Sequence, residues 1–185
     1  MNTANKLTLL RVALVPVFMA LLMIDSTVCK WAALGVFALA SITDALDGHI
    51  ARSRNQITTF GKFVDPLADK ILTTAAFLVF LGMGVYSPIS GTIALMVILT
   101  REFMVAGVRL AAVGEGTVIA ASMWGKLKTV AQMIAIIITI ILIALFPDRT
   151  AAKLIIETLL WITVGFTVIS GTEYLIKNWH LMKLK

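Results

Sequence analysis

Cysteine occurs once in this 185-residue chain, at Cys29, and histidine only at His49 and His180. A single thiol excludes an internal disulfide, and Cys29 reads as a small apolar side chain near a membrane interface. Charge is also sparse: 14% of residues are charged against 59% hydrophobic, and the mean hydropathy is +0.97. That balance predicts a polytopic membrane protein with no room for a second, soluble domain. Only four prolines are present, and no Pro-rich linker, internal repeat or low-complexity tract divides the chain, so residues 1–185 are expected to form one helical domain. The N-terminal Met-Asn-Thr-Ala-Asn-Lys lacks a short apolar core followed by a small-residue cleavage site, and the first apolar run is expected to be retained as an anchor.

What is abundant is apolar sequence in long runs. Stretches of about 17–25 residues, enough to cross a bilayer, occur at 7–24, 31–51, 65–84, 88–112, 123–146 and 152–174. The expected fold is all-α, a bundle of six transmembrane helices. Residues 5–11 are polar on one side and apolar on the other, which predicts a short interfacial helix ahead of the first span. The turns are short, so successive spans are expected to pack as antiparallel neighbours. With the N-terminus in the cytoplasm, all of the 16 basic residues except Lys30, Arg149 and Lys153 fall on the cytoplasmic side, as the positive-inside rule asks. The net charge of +6 therefore lines one membrane face without interleaved aromatics. That pattern suits anionic lipids and phosphate ligands and excludes nucleic acid as a partner.

Against this background four carboxylates stand close together: Asp44, Asp47, Asp65 and Asp69. The first two are spaced i, i+3 and the last two i, i+4, so each pair shares a helix face. Four like charges at the margin of a bilayer raise one another's proton affinity unless a cation neutralises them. Oxygen donors select hard divalent ions, and His49 is the one histidine nearby, so magnesium or manganese fits and zinc does not. A proton or ion relay in a carrier is the alternative that these residues alone leave open.

Residues 44–69 read DALDGHIARSRNQITTFGKFVDPLAD. Asp44, Asp47, Gly48, Ala51, Arg52, Gly61, Asp65 and Asp69 fall at every fixed position of a known pattern, and the stretch resembles the motif of the CDP-alcohol phosphatidyltransferase family. The resemblance implies a six-helix, usually dimeric membrane enzyme that binds the CDP part of a CDP-alcohol together with two divalent metals. It makes Asp44, Asp47 and Asp65 metal ligands, and Asp69 both a metal ligand and the base that takes the proton of the attacking hydroxyl. Asn5, Thr8, Gly48, Ala51, Arg52 and Gly61 would contact the donor, CDP-diacylglycerol. The glycines allow close approach, and Arg52 can pair with phosphate through its planar fork.

Three further stretches resemble the bacterial members whose acceptor is sn-glycerol 3-phosphate: Asn5-x-Leu7-Thr8-x2-Arg11, Thr100-Arg101-Glu102-Phe103 followed by Arg109, and Gly125-Lys126-Leu127-Lys128-Thr129 with Gln132. A phosphate monoester needs a cationic pocket, and Arg101, Arg109 and Lys126 are the expected holders. Lys126 and Lys128 differ by about 200° around a helix and cannot both face one pocket; the resemblance selects Lys126. The match departs at Ala4, where many relatives have proline, and at Ser53-Arg54. The implied setting is the bacterial cytoplasmic membrane, with the site facing the cytoplasm. Alternatives are the same chemistry on another acceptor, as in cardiolipin, inositol-phosphate or serine phospholipid synthesis, or a divalent-cation or proton-coupled carrier.

Overall fold

The computed structural model describes residues 3–53, 59–114, 119, 122–146, 148 and 150–179, and their side chains except those of 3–8, 44–53, 59–69, 111, 113 and 114. Six helices account for almost all of them: α1 Thr3–Met23, α2 Thr27–Ser53, α3 Thr59–Gly82, α4 Pro88–Gly114, α5 Met123–Leu145 and α6 Thr150–Lys177. Among the described residues there is no strand. α5 and α6 are each long and apolar enough to cross a membrane. Large apolar side chains such as Val28, Ile89, Phe103, Leu110, Leu154 and Ile176 face outward. Thr163, Thr167 and Ser170 of α6 turn inward and donate to backbone carbonyls within their own helix. Outward apolar and inward small polar residues are the arrangement that a lipid solvent favours.

Residues 5–11 do not form a separate interfacial helix, because α1 runs unbroken from Thr3 to Met23. No glycine or proline lies between Thr3 and Val15 to stop it, and Pro16 is accommodated inside the helix.

Packing joins the helices in a closed order: α1 on α2, α2 on α5, α5 on α6, α6 on α4, α4 on α3 and α3 back on α1, with α3 also touching α5. Expected antiparallel neighbours are found for α1/α2, α3/α4 and α5/α6. Among the described residues, however, α2 packs mainly on α1 and α5, and α4 mainly on α6 and α3. The connection at 54–58 allows this, since a chain of that length can reach about 20 Å. The core is filled by Phe18, Phe37, Phe77, Phe80, Ile136, Ile140 and Leu160, with Phe18 and Phe37 tilted at a 5.6 Å centroid distance.

The α3–α4 turn shows how local chemistry fixes the far end of the bundle. Gly84 has φ 67°, a conformation that costs other residues a Cβ clash. Its N–H donates to the Leu81 carbonyl (3.0 Å), and that of Val85 to the Phe80 carbonyl (2.9 Å), so α3 ends in a Schellman motif. Glu157 of α6 then accepts from the Ser87 backbone N–H (2.5 Å) and the Ser90 hydroxyl (2.6 Å), placing a carboxylate at the N-terminus of α4. Tyr86 is buried in the same turn, edge-on to Phe80 at 5.7 Å, and burial pushes its phenol well above the ordinary range. The opposite end of the bundle holds the start of α1, α3 and α5 and the close of α2, α4 and α6.

Candidate active site

At that opposite end the two aspartate pairs stand at matching depth. Asp44 and Asp47 lie in the second half of α2, and Asp65 and Asp69 in the first half of α3. At about 1.5 Å per residue the α2 pair is roughly 9–14 Å back from Ser53, and the α3 pair roughly 9–15 Å on from Thr59. Gly48, Ala51 and Arg52 follow on α2, and Gly61 precedes on α3. Asn5 and Thr8 are in the first turns of α1, which packs against both α2 and α3. The side chains of these ten residues lie outside the described ones. The four carboxylates are on helix ends joined by a short connection, and oxygen donors are the type that hard divalent cations take. Among the described side chains no other group of three or more His, Cys, Asp or Glu could hold a metal.

Next to this end, α4 and α5 supply a buried ionic cluster centred on Glu102. Its Oε1 is in direct contact with the Lys128 ammonium and stands 3.4 Å from the Arg101 Nη1. Its Oε2 stands 3.4 Å from the Lys70 ammonium, which also lies 3.4 Å from the Glu102 carbonyl oxygen. Lys128 and Glu102 are almost fully buried, and Lys70 is about one-third exposed. Gln132, one turn beyond Lys128 on the same face, is buried with its Nε2 unpartnered among the described residues.

The three cations expected at the acceptor are placed differently from one another. Arg101, its side chain about one-tenth exposed, threads between helices at two glycines: a Cβ on Gly171 would lie 3.0 Å from its Cγ, and one on Gly125 would lie 3.6 Å from its Nη2. Gly125 is held there by the α5 N-cap, where Ser122 Oγ accepts its N–H at 3.1 Å. Arg109 is exposed, with its guanidinium 5.8 Å over the Tyr174 ring, a cation–π geometry. Arg101 and Arg109 are about 12 Å apart along α4. Lys126 is exposed, whereas Lys128 is the lysine of α5 that faces the interior. The missed signal was periodic: Lys128, Gln132, Ala135, Ile136 and Thr139 share one helical face, and all are buried. Lys70 carries no periodic signal, only its place beside Asp69.

The glycine channel makes a contrast available on one helix. Gly171→Val should displace Arg101 and lower turnover about tenfold, on the order of one charge-assisted contact. Gly165→Ala, where an added Cβ meets nothing within 4 Å, should leave turnover unchanged and the protein slightly more stable. Steady-state kinetics with thermal unfolding of both variants in detergent checks this.

The chain matches the sequence model described as CDP-alcohol phosphatidyltransferase over residues 1–169. It is 40% identical to the CDP-diacylglycerol–glycerol-3-phosphate 3-phosphatidyltransferase of Bacillus subtilis, across 98% of this chain and 97% of that one. The Rickettsia bellii protein of the same name is 35% identical, across 94% of this chain and 93% of the relative. A probable phosphatidylglycerophosphate synthase of Mycobacterium tuberculosis is 38% identical, across 94% of this chain and 79% of the relative. Since the motif falls on the α2 and α3 ends and the match runs from α1 into α6, this chain belongs to the CDP-alcohol phosphatidyltransferase family.

Proposed function

We propose that this protein transfers the phosphatidyl group of CDP-diacylglycerol to a hydroxyl of sn-glycerol 3-phosphate, giving phosphatidylglycerophosphate and CMP. The observation that carries the reading is the complete motif from Asp44 to Asp69, joined to full-length similarity to bacterial proteins named for this reaction. The inward cations beside the motif support a phosphorylated acceptor.

The donor's CDP head would sit between α1, α2 and α3, contacted by Asn5, Thr8, Gly48, Ala51, Arg52 and Gly61. An apolar groove of about 320 Å³ between α4 and α6, walled by Met96, Val97, Thr100, Met104, Thr167 and Leu175, runs past Arg101. It agrees with a donor whose acyl chains stay in the bilayer. Two magnesium or manganese ions held by Asp44, Asp47, Asp65 and Asp69 would neutralise the diphosphate and stabilise departing CMP. Asp69 accepts the proton of the acceptor hydroxyl as its oxygen attacks the lipid-side phosphorus in line; the bond from that phosphorus to the CMP oxygen breaks. Arg101 and Arg109 hold the acceptor's phosphate, with Lys126 at the mouth of the site; burial favours Lys128 as the deeper cation. The setting is the bacterial cytoplasmic membrane, as a homodimer of six-span subunits with the aspartates toward the cytoplasm, in line with the basic residues at that end.

CMP release by purified protein, measured with CDP-diacylglycerol and each of glycerol 3-phosphate, free glycerol, inositol phosphate, serine and phosphatidylglycerol, tests the acceptor. Release with glycerol 3-phosphate alone is expected; equal release with free glycerol would reject the phosphate requirement. The same assay in EDTA should fall to background and recover with magnesium or manganese, and full activity in chelator would reject the metal reading.

A further inference from the structure

A carboxylate buried within a helix bundle is tolerated only with partners, and Glu102, 7% exposed, takes them from three helices: Lys70 of α3, Arg101 of α4 and Lys128 of α5. Lys70 follows Asp69 directly, so whatever fixes Lys70 fixes the backbone that carries the proposed base. Lysine ammoniums sit on flexible four-carbon stems and take their positions from what they pair with. Arg101 is also held by its glycine channel, and Lys128 and Lys70 both pair with Glu102. A single carboxylate thus joins the helix of Asp65 and Asp69 to the cations of the acceptor side.

We propose that Glu102 is a positioning residue that sets the distance between the base-bearing segment of α3 and the acceptor-holding side chains of α4 and α5. It touches neither the reacting phosphorus nor the acceptor hydroxyl. Its effect is geometric: misplacement of reacting groups by about 1 Å can cost about a hundredfold in rate. The inference rests on the proposed roles of Asp69 and of the α4 and α5 cations.

The test uses the full chain in lipid nanodiscs, with wild type, Glu102→Gln, Glu102→Asp, Lys128→Met and the Glu102→Gln/Lys128→Met pair assayed side by side and normalised to folded protein. Glu102→Gln should lower kcat by about a hundredfold and raise the KM for glycerol 3-phosphate about tenfold, one charge-assisted contact, while the KM for CDP-diacylglycerol stays within about twofold. Glu102→Asp, which keeps the charge on a shorter arm, should recover part of the kcat. The double variant should fall short of the product of the two single losses, because both remove one coupled interaction. Unchanged kcat and KM per folded Glu102→Gln molecule, or losses that multiply independently, would overturn the proposal. If Glu102→Gln cannot be recovered folded, Lys70→Met carries the test at the more exposed end of the same contact, and an unchanged kcat there overturns it equally. Wild type separates the two claims. Turnover with a different alcohol sinks the acceptor reading alone, since the Glu102 ratio is then read on that alcohol.

Discussion

Asp69→Asn is expected to lose about three orders of magnitude in kcat, within the 10²–10⁴ range that a positioned general base contributes, while donor binding stays comparatively intact. Asp69 shares a helix face with Asp65 one turn away, which in the proposed function groups it with the metal ligands, and it directly precedes Lys70, whose ammonium pairs with Glu102. An amide there keeps size and one acceptor oxygen but cannot take the proton of an attacking hydroxyl. Asp44→Asn, Asp47→Asn and Asp65→Asn should also be inactive for a different reason, since each removes a ligand and weakens donor binding with it. Equilibrium binding of CDP-diacylglycerol in the presence of magnesium separates the classes: retained in Asp69→Asn, lost in the other three. Near-normal turnover in Asp69→Asn would move the base elsewhere.

The acceptor side gives the second large effect. A phosphate monoester carries nearly two negative charges at neutral pH and must be held beside an already anionic diphosphate. Each charge-assisted contact removed should cost about 1.5–3 kcal/mol, or roughly 10- to 150-fold in the KM for glycerol 3-phosphate. Arg101→Ala and Arg109→Ala should both show this with little change in the KM for CDP-diacylglycerol. Arg109→Lys should recover only part, because a point charge replaces a two-pronged donor. The two lysines of α5 should differ. Lys128, buried against Glu102, should lose at the upper end of that range as Lys128→Met, and Lys126, exposed, only a few-fold. An equal or larger effect at Lys126 would return the deeper role to it. A glycerol 3-phosphate saturation curve unchanged in both arginine variants would remove the acceptor assignment while leaving the CDP-alcohol chemistry intact.

Much of the bundle could be read from hydropathy, for a physical reason. In α4, α5 and α6 the apolar run and the helix nearly coincide, 88–112 against Pro88–Gly114, 123–146 against Met123–Leu145 and 152–174 against Thr150–Lys177. Pro88 at the first helical position and Ser122 as N-cap mark two of those starts. At α2 and α3 hydropathy marked only the part suited to lipid, and the helices extend past it to Ser53 and back to Thr59, because polar residues at a helix end still satisfy the backbone ladder. The apolar run 65–84 includes Gly84, which caps α3 and does not extend it, a distinction set by φ and not by apolarity. The aspartate pattern was legible because its spacing is local to two helices. The Glu102 cluster was not: its lysine partners are 32 residues before it and 26 after it. Nothing in one sequence states which lysine of α5 turns inward until the face shared by Lys128, Gln132 and Thr139 is followed through the helix.

In the proposed reaction an acceptor hydroxyl displaces CMP at the phosphorus nearest the lipid. This displacement is tested most directly by turnover with glycerol 3-phosphate labelled with ¹⁸O in its hydroxyl groups, followed by mass spectrometry of both products. The bond that forms is from the acceptor oxygen to the lipid phosphorus, so the lipid product should retain all of the label, including the bridging oxygen, and the released CMP should contain none. Label in CMP, or CMP formed with no labelled lipid, would contradict transfer to glycerol 3-phosphate by this route.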